Sequence, residues 1–128
     1  MNLLLDTHTF IWWDSEPGKL SQQALILCEN PTNTLLLSMV SIWEMQIKIQ
    51  LGKLTLNLPL LEIIQHQQQK NNLKILPISI THILALENLS NHHKDPFDRL
   101  LIAQSNIEDA VLVSCDPMIA KYQVKLVW

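Results

Sequence analysis

Apolar residues along this chain fall into short unbroken runs, separated by longer stretches of mixed character. Residues 2–5 (Asn-Leu-Leu-Leu), 34–38 (Thr-Leu-Leu-Leu-Ser), 74–77, 110–114 and 124–127 read as strands, the third weakened by its Pro. A helix is expected to open at Asp6-Thr7-His8-Thr9 and run through Trp13, and a second to span 21–29. Ser38 can cap a third helix that reaches about Leu51 and is stopped by Gly52. Further helices are expected over 59–71, from Ser79 to about Leu89, and from Asp95-Pro96 to about Ile107. A short one should follow Asp116-Pro117. Strands apolar on both faces must be covered on both faces, and strands that alternate with helices pair in parallel. The expected architecture is an α/β fold, a three-layer α/β/α sandwich around a central, mostly parallel sheet.

Length and composition narrow the picture without changing it. A chain of 128 residues, 48% of them apolar, fits one domain (1–128) with its own core. The two glycines leave no room for a Gly-rich phosphate loop. No apolar run is long enough to span a bilayer, and the N-terminus lacks the basic segment of a signal peptide, so a cytoplasmic protein is expected. Cys28 and Cys115 lie far apart in apolar surroundings and read as buried free thiols, with no zinc-type pairing. The net charge of −3 argues against tight binding of nucleic acid by phosphate neutralisation alone. It leaves room for a nuclease whose cations bring the positive charge.

Candidate chemistry lies in four carboxylates. In an open parallel sheet, ligands bind beyond the carboxyl ends of the strands. Asp6 directly follows the first strand, Glu44 lies in the helix after the second, and Asp116 lies just past the fourth. Asp98 sits in the first turn of a helix that is apolar on most sides, so its carboxylate needs a partner. Clustered carboxylates repel one another and hold Mg²⁺ or Mn²⁺ well. Such a cation activates water, polarises phosphorus and stabilises the leaving oxygen. That points to in-line hydrolysis of a phosphodiester. Plainer roles stand beside these: Asp6, Asp95 and Asp116 as helix caps, Glu44 as an exposed partner of Lys48, Asp98 as a first-turn acid paired with Arg99 or Lys94.

The segments carrying these acids resemble the PIN-domain family. Leu3-Leu4-Leu5-Asp6-Thr7-His8 resembles its opening motif, Ser41-Ile42-Trp43-Glu44 its second, and Ser114-Cys115-Asp116 its fourth. His93-Lys94-Asp95-Pro96-Phe97-Asp98-Arg99-Leu100-Leu101-Ile102-Ala103-Gln104 resembles the third, in the form common among VapC-type toxins. The resemblance implies a PIN-like α/β/α fold and a Mg²⁺- or Mn²⁺-dependent ribonuclease, the toxin half of a toxin–antitoxin pair. It also implies a homodimer and an antitoxin that occludes the site. By position, Asp6, Glu44, Asp98 and Asp116 carry over as catalytic and metal-binding acids. Many PIN domains place the third acid three residues before an Ile-Ala pair. Here Asp98 stands four before Ile102-Ala103 and Asp95 seven before, so the two compete for that place, with Asp98 favoured and Asp95 cast in a supporting role.

Arg99, Thr7 and Ser114 are further candidates for contact with substrate or with the acids, Arg99 because a guanidinium matches phosphate geometry. Lys48, Lys53 and Lys94 could line an RNA path or serve only solubility. His8 reads as a polar residue at a helix start, and His92 and His93 as solvated loop. The tryptophans read as core or interface anchors. Two other functions compete. A haloacid-dehalogenase-like phosphatase would want a second Asp two residues after Asp6, where His8 stands. A catalytically silent PIN-like interaction module would have no need of all four acids.

Overall fold

The computed structural model describes residues 1–128. Five strands, β1 (Asn2–Leu5), β2 (Thr34–Ser38), β3 (Lys74–Leu76), β4 (Val111–Val113) and β5 (Leu126–Val127), form one sheet in the order β3-β2-β1-β4-β5. All four pairings are parallel, with Leu4 opposite Leu36 on one side and Leu112 on the other. Six α-helices supply the crossovers: α1 (Thr7–Ser15), α2 (Gln22–Glu29), α3 (Met39–Gln50), α4 (Leu60–Asn71), α5 (Ile80–Leu84) and α6 (Pro96–Ile107). The fold is thus the expected three-layer α/β/α sandwich, with a wholly parallel sheet.

The unbroken apolar runs serve two cores at once. Successive strand residues point to opposite faces. Leu3, Leu5, Leu35, Leu37 and Val113 pack with Phe10, Trp13, Ala24 and Ile63 on one face. Leu4 and Leu112 pack with Leu101, Ile102 and Ile119 on the other. Leu3, Leu4 and Leu5 are all fully buried, each contributing roughly 1.5–3 kcal/mol.

Capping residues set the helix starts. Asp6, Ser21, Ser38 and Asp95 each accept a backbone N–H from the first turn of α1, α2, α3 and α6. After α3 the chain turns at Gly52, whose φ of 72° suits a residue without Cβ. One helix is shorter than expected. Ser79 caps α5, but α-helix ends at Leu84 and a 3-10 turn carries on over Ala85–Asn88. Leu86 O accepts the Leu89 N–H of that turn at 3.2 Å and also Arg99 Nη2 at 3.5 Å, while Ser90 O beyond it accepts Arg99 Nη1 at 2.8 Å.

The sheet order reverses between β1 and β4, because β2 and β3 lie to one side of β1 and β4 and β5 to the other. The carboxyl ends of β1 and β4 therefore border the crevice where open α/β sheets bind ligands.

Candidate functional site

Asp6 leaves the end of β1 and is only 7% exposed. Its carboxylate accepts the Thr9 N–H at 2.8 Å, and its own N–H reaches Val113 O at 3.2 Å, joining α1 to β4. Burial raises its pKa, opposed by hydrogen bonds from Ser114 and Thr9 and by the nearby His8. Thr9 strengthens the same seam, its hydroxyl donating to Val113 O at 3.0 Å. Thr9→Val keeps the shape and removes that donor. Asp6 N–H still serves the carbonyl, so the expected loss is about 1 kcal/mol by urea denaturation. A loss near zero would mean the tie contributes nothing.

Glu44 projects from α3 and is 6% exposed, so it does not lie on a solvated helix face. Thr7 donates to its Oε1 at 2.6 Å, and Lys48 pairs with its Oε2 at 2.9 Å. The Lys48 pairing expected of a surface residue thus coexists with burial. Ser41, one turn earlier on the same helix, is fully buried and its hydroxyl has no partner.

Asp95 and Asp98 divide their work cleanly. Asp95 Oδ1 accepts the N–H groups of Phe97 and Asp98 at 2.8 and 3.3 Å, which commits it to capping α6. Asp98 faces the other acids. Its pKa is pushed up to about 7, first by burial and then by the negative charge of Asp95, with Glu44 and Asp6 adding to the rise and His93 opposing it. Asp116 follows β4, where Ser114 Oγ accepts its N–H at 3.1 Å and Asp116 Oδ1 accepts from Met118 at 2.8 Å.

His93 was not expected here. It is not solvated loop: its Nε2 lies 2.9 Å from Asp98 Oδ2 and 3.1 Å from Asp116 Oδ2. The pattern His-x-Asp-Pro-x-Asp held the only sequence clue, since it places a ring two residues before a helix cap. His93, Asp98 and Asp116 bring one donor atom each within 4.8 Å of one another. Asp6 and Glu44 stand outside that group but close enough to act on Asp98 through charge.

Other candidates are placed elsewhere. Arg99 does not face the acids; it bonds Ser90 O at 2.8 Å and Tyr122 Oη at 3.2 Å, anchoring the loop before α6. Lys53, Lys94 and His92 are exposed, and so is His8, which stacks near Trp12. Cys28 is buried, and its thiol is pushed up to about 11 by burial and then by Glu29. Cys115 is exposed and not buried, because it lies two residues past the end of β4, beyond the buried Ser114. Trp43 is no core residue: it is 57% exposed and meets Phe97 edge-on at 5.2 Å, each ring one position before an acid.

The donor set is oxygen-rich, as Mg²⁺ or Mn²⁺ requires. Asp98 has taken up burial and neighbouring negative charge without a full countercharge, a deficit a divalent cation would remove. The residues therefore fit such an ion. The largest cavity, about 760 Å³, lies between α1 and the segment 54–58 and includes none of the four acids.

Residues 3–125 match the family model described as PIN domain. No functionally curated protein matches the chain. Among solved structures, the chain is similar to VapBC2 from Rickettsia felis bound to a DNA fragment from their promoter, at TM-score 0.72 and 16% identity over 99% of this chain and 98% of that one. It is similar to a toxin-antitoxin complex from Klebsiella pneumoniae at TM-score 0.60 and 14% identity, covering 98% and 96%. FitAcB from Neisseria gonorrhoeae gives the same values.

Proposed function

The chain belongs to the PIN-domain family, and from that premise we propose that it is a Mg²⁺- or Mn²⁺-dependent endoribonuclease, the toxin component of a toxin–antitoxin pair. One observation carries the reading: Asp98 lies where burial and the negative charges of Asp95, Glu44 and Asp6 together raise its pKa, and His93 ties it to Asp116 just past β4. In this reading Asp98 and Asp6 are the principal holders of the cation, and Glu44 and Asp116 complete the charge. When bound, the cation supplies Lewis acidity for water activation and for charge on the leaving oxygen. Thr7 fixes the direction of Glu44, and Ser114 that of Asp116 and Asp6. Asp95 and Arg99 set the start of α6 and so the place of Asp98.

The structural neighbours include VapBC2 and a toxin-antitoxin complex, which supports a cognate antitoxin as partner. Ile80, Ile83 and Leu84 of α5 are exposed and offer apolar surface to an antitoxin or to a second copy in a homodimer. No helix is long and apolar enough to cross a membrane, and the reading places the protein in the cytoplasm.

The direct test is RNA cleavage by the purified protein with Mg²⁺ or Mn²⁺. EDTA should abolish it, and excess Mn²⁺ should restore it. Cleavage that survives chelation would sink the cation reading. Turnover of a phosphate monoester without RNA cleavage would favour the phosphatase.

A further inference from the structure

His93 is gripped from three directions. Its backbone N–H donates to Tyr122 Oη at 2.9 Å, and the same oxygen takes Arg99 Nη1 at 3.2 Å. Its Nδ1 receives the backbone N–H of Asp95 at 3.2 Å. Its Nε2 sits between Asp98 Oδ2 and Asp116 Oδ2 at 2.9 and 3.1 Å.

The Asp95 amide decides what the ring can do. A backbone N–H can only donate, so Nδ1 must offer its lone pair. In the neutral ring the proton then resides on Nε2, and Nε2 donates to the two carboxylates. Binding a cation through Nε2 would need the opposite tautomer. Nδ1–H would then point at the Asp95 N–H, donor against donor, in a partly buried loop held by Tyr122 and Arg99.

We propose that His93 is a positioning residue: an N–H brace that joins the third and fourth acids of the site through their Oδ2 atoms and is not itself a ligand of the cation. This inference rests on the cation reading of the crevice. Asp98 Oδ1 stays free of the brace, and each braced oxygen keeps a second lone pair. The brace holds two like charges at a fixed separation before an ion arrives, which is the part an outer partner plays in orienting metal-binding carboxylates.

The test uses Mn²⁺ as probe, with the full chain as wild type, H93Q and H93A. Affinity is read from the EPR signal of free Mn²⁺, and circular dichroism checks the fold of each form. Gln can place an amide N–H near the position of the imidazole Nε2. Wild type and H93Q should bind Mn²⁺ with affinities of the same order, and H93A should bind about tenfold or more weakly. Pulsed EPR of the wild-type complex should show no imidazole nitrogen coupled to Mn²⁺, a readout that stands even where H93A does not fold. Nitrogen coupling would overturn the brace by making His93 a ligand. So would H93A binding as tightly as wild type or more tightly, or H93Q losing as much affinity as H93A. Absence of Mn²⁺ binding in wild type would overturn the cation reading itself, and the brace with it.

Discussion

Asp98→Asn is expected to lower RNA cleavage by about 10²–10³-fold while making the cation-free protein more stable at pH 8. Both effects have one cause. Asp98 is the acid on which burial and the charges of Asp95, Glu44 and Asp6 converge, holding its pKa at about 7 against an ordinary 3.8. Between those values the folded protein binds a proton that the unfolded chain releases, so this group's contribution to stability falls as pH rises through the window. Above pH 7 the folded state carries the full burden of an unwelcome negative charge. Asn removes the charge and nearly preserves the shape. Asp98 is partly solvated and coupled to its neighbours, so a discounted gain of about 1 kcal/mol is expected, or about 4 °C in a domain of this size. The same substitution removes a negative charge from the place assigned to the cation, and losing one such electrostatic group costs about 10²–10³ in rate. The measurements are single-turnover cleavage with Mn²⁺ and thermal melting in EDTA. A variant equally active would displace Asp98 from the site. A variant less active and also less stable would mean that its carboxylate serves the fold.

That trade-off explains which features were legible in the sequence. The Leu and Val runs of β1, β2 and β4 needed no context, because any chain with apolar residues on both faces of a strand must cover both. The acids could be placed because each is tied to a strand end or a helix start: Asp6 follows Leu5, Asp98 stands two residues after Pro96, and Asp116 precedes Pro117. Hydrogen bonds distinguish Asp95 from Asp98, since only Asp95 is engaged as the cap of α6. The cap geometry consumes Asp95 Oδ1 and turns Asp98 to the crevice. What spacing could not reveal depends on partners distant in sequence. His93 enters the site because Tyr122, 29 residues on, holds its backbone. Arg99 turns away because Ser90 O and Tyr122 Oη accept its donors. Residues 85–88 form a 3-10 turn whose Leu86 carbonyl also accepts from Arg99, 13 residues on. Trp43 is exposed because helix α3 directs Val40, Ser41, Glu44 and Met45 inward. At about 100° per residue, position 43 falls outside the stripe that those four residues form.

Saturating Mn²⁺ should reverse the pH trend that Asp98 imposes. Without the cation, the difference in stability between wild type and Asp98→Asn grows more unfavourable to wild type from about pH 4 to pH 7, following the raised pKa of Asp98; the raised pKa of Asp6 is common to both proteins and cancels from the difference. Protons and cation compete for the same oxygens, so the cation binds more tightly as the acids deprotonate. Its stabilising effect must therefore grow through the window in which the charge is otherwise harmful. At 100 times its dissociation constant an ion that binds only the folded state adds about 2.7 kcal/mol, or about 10 °C here. The gain at pH 7.5 should approach that figure, shrink strongly at pH 5, and largely vanish in Asp98→Asn at either pH. Thermal melting of both proteins, with Mn²⁺ and with EDTA at the two pH values, provides the comparison. A shift equal at both pH values, or one that Asp98→Asn retains, would place the ion away from the crevice, since only oxygens that lose a proton between pH 5 and 7.5 can couple its binding to that interval.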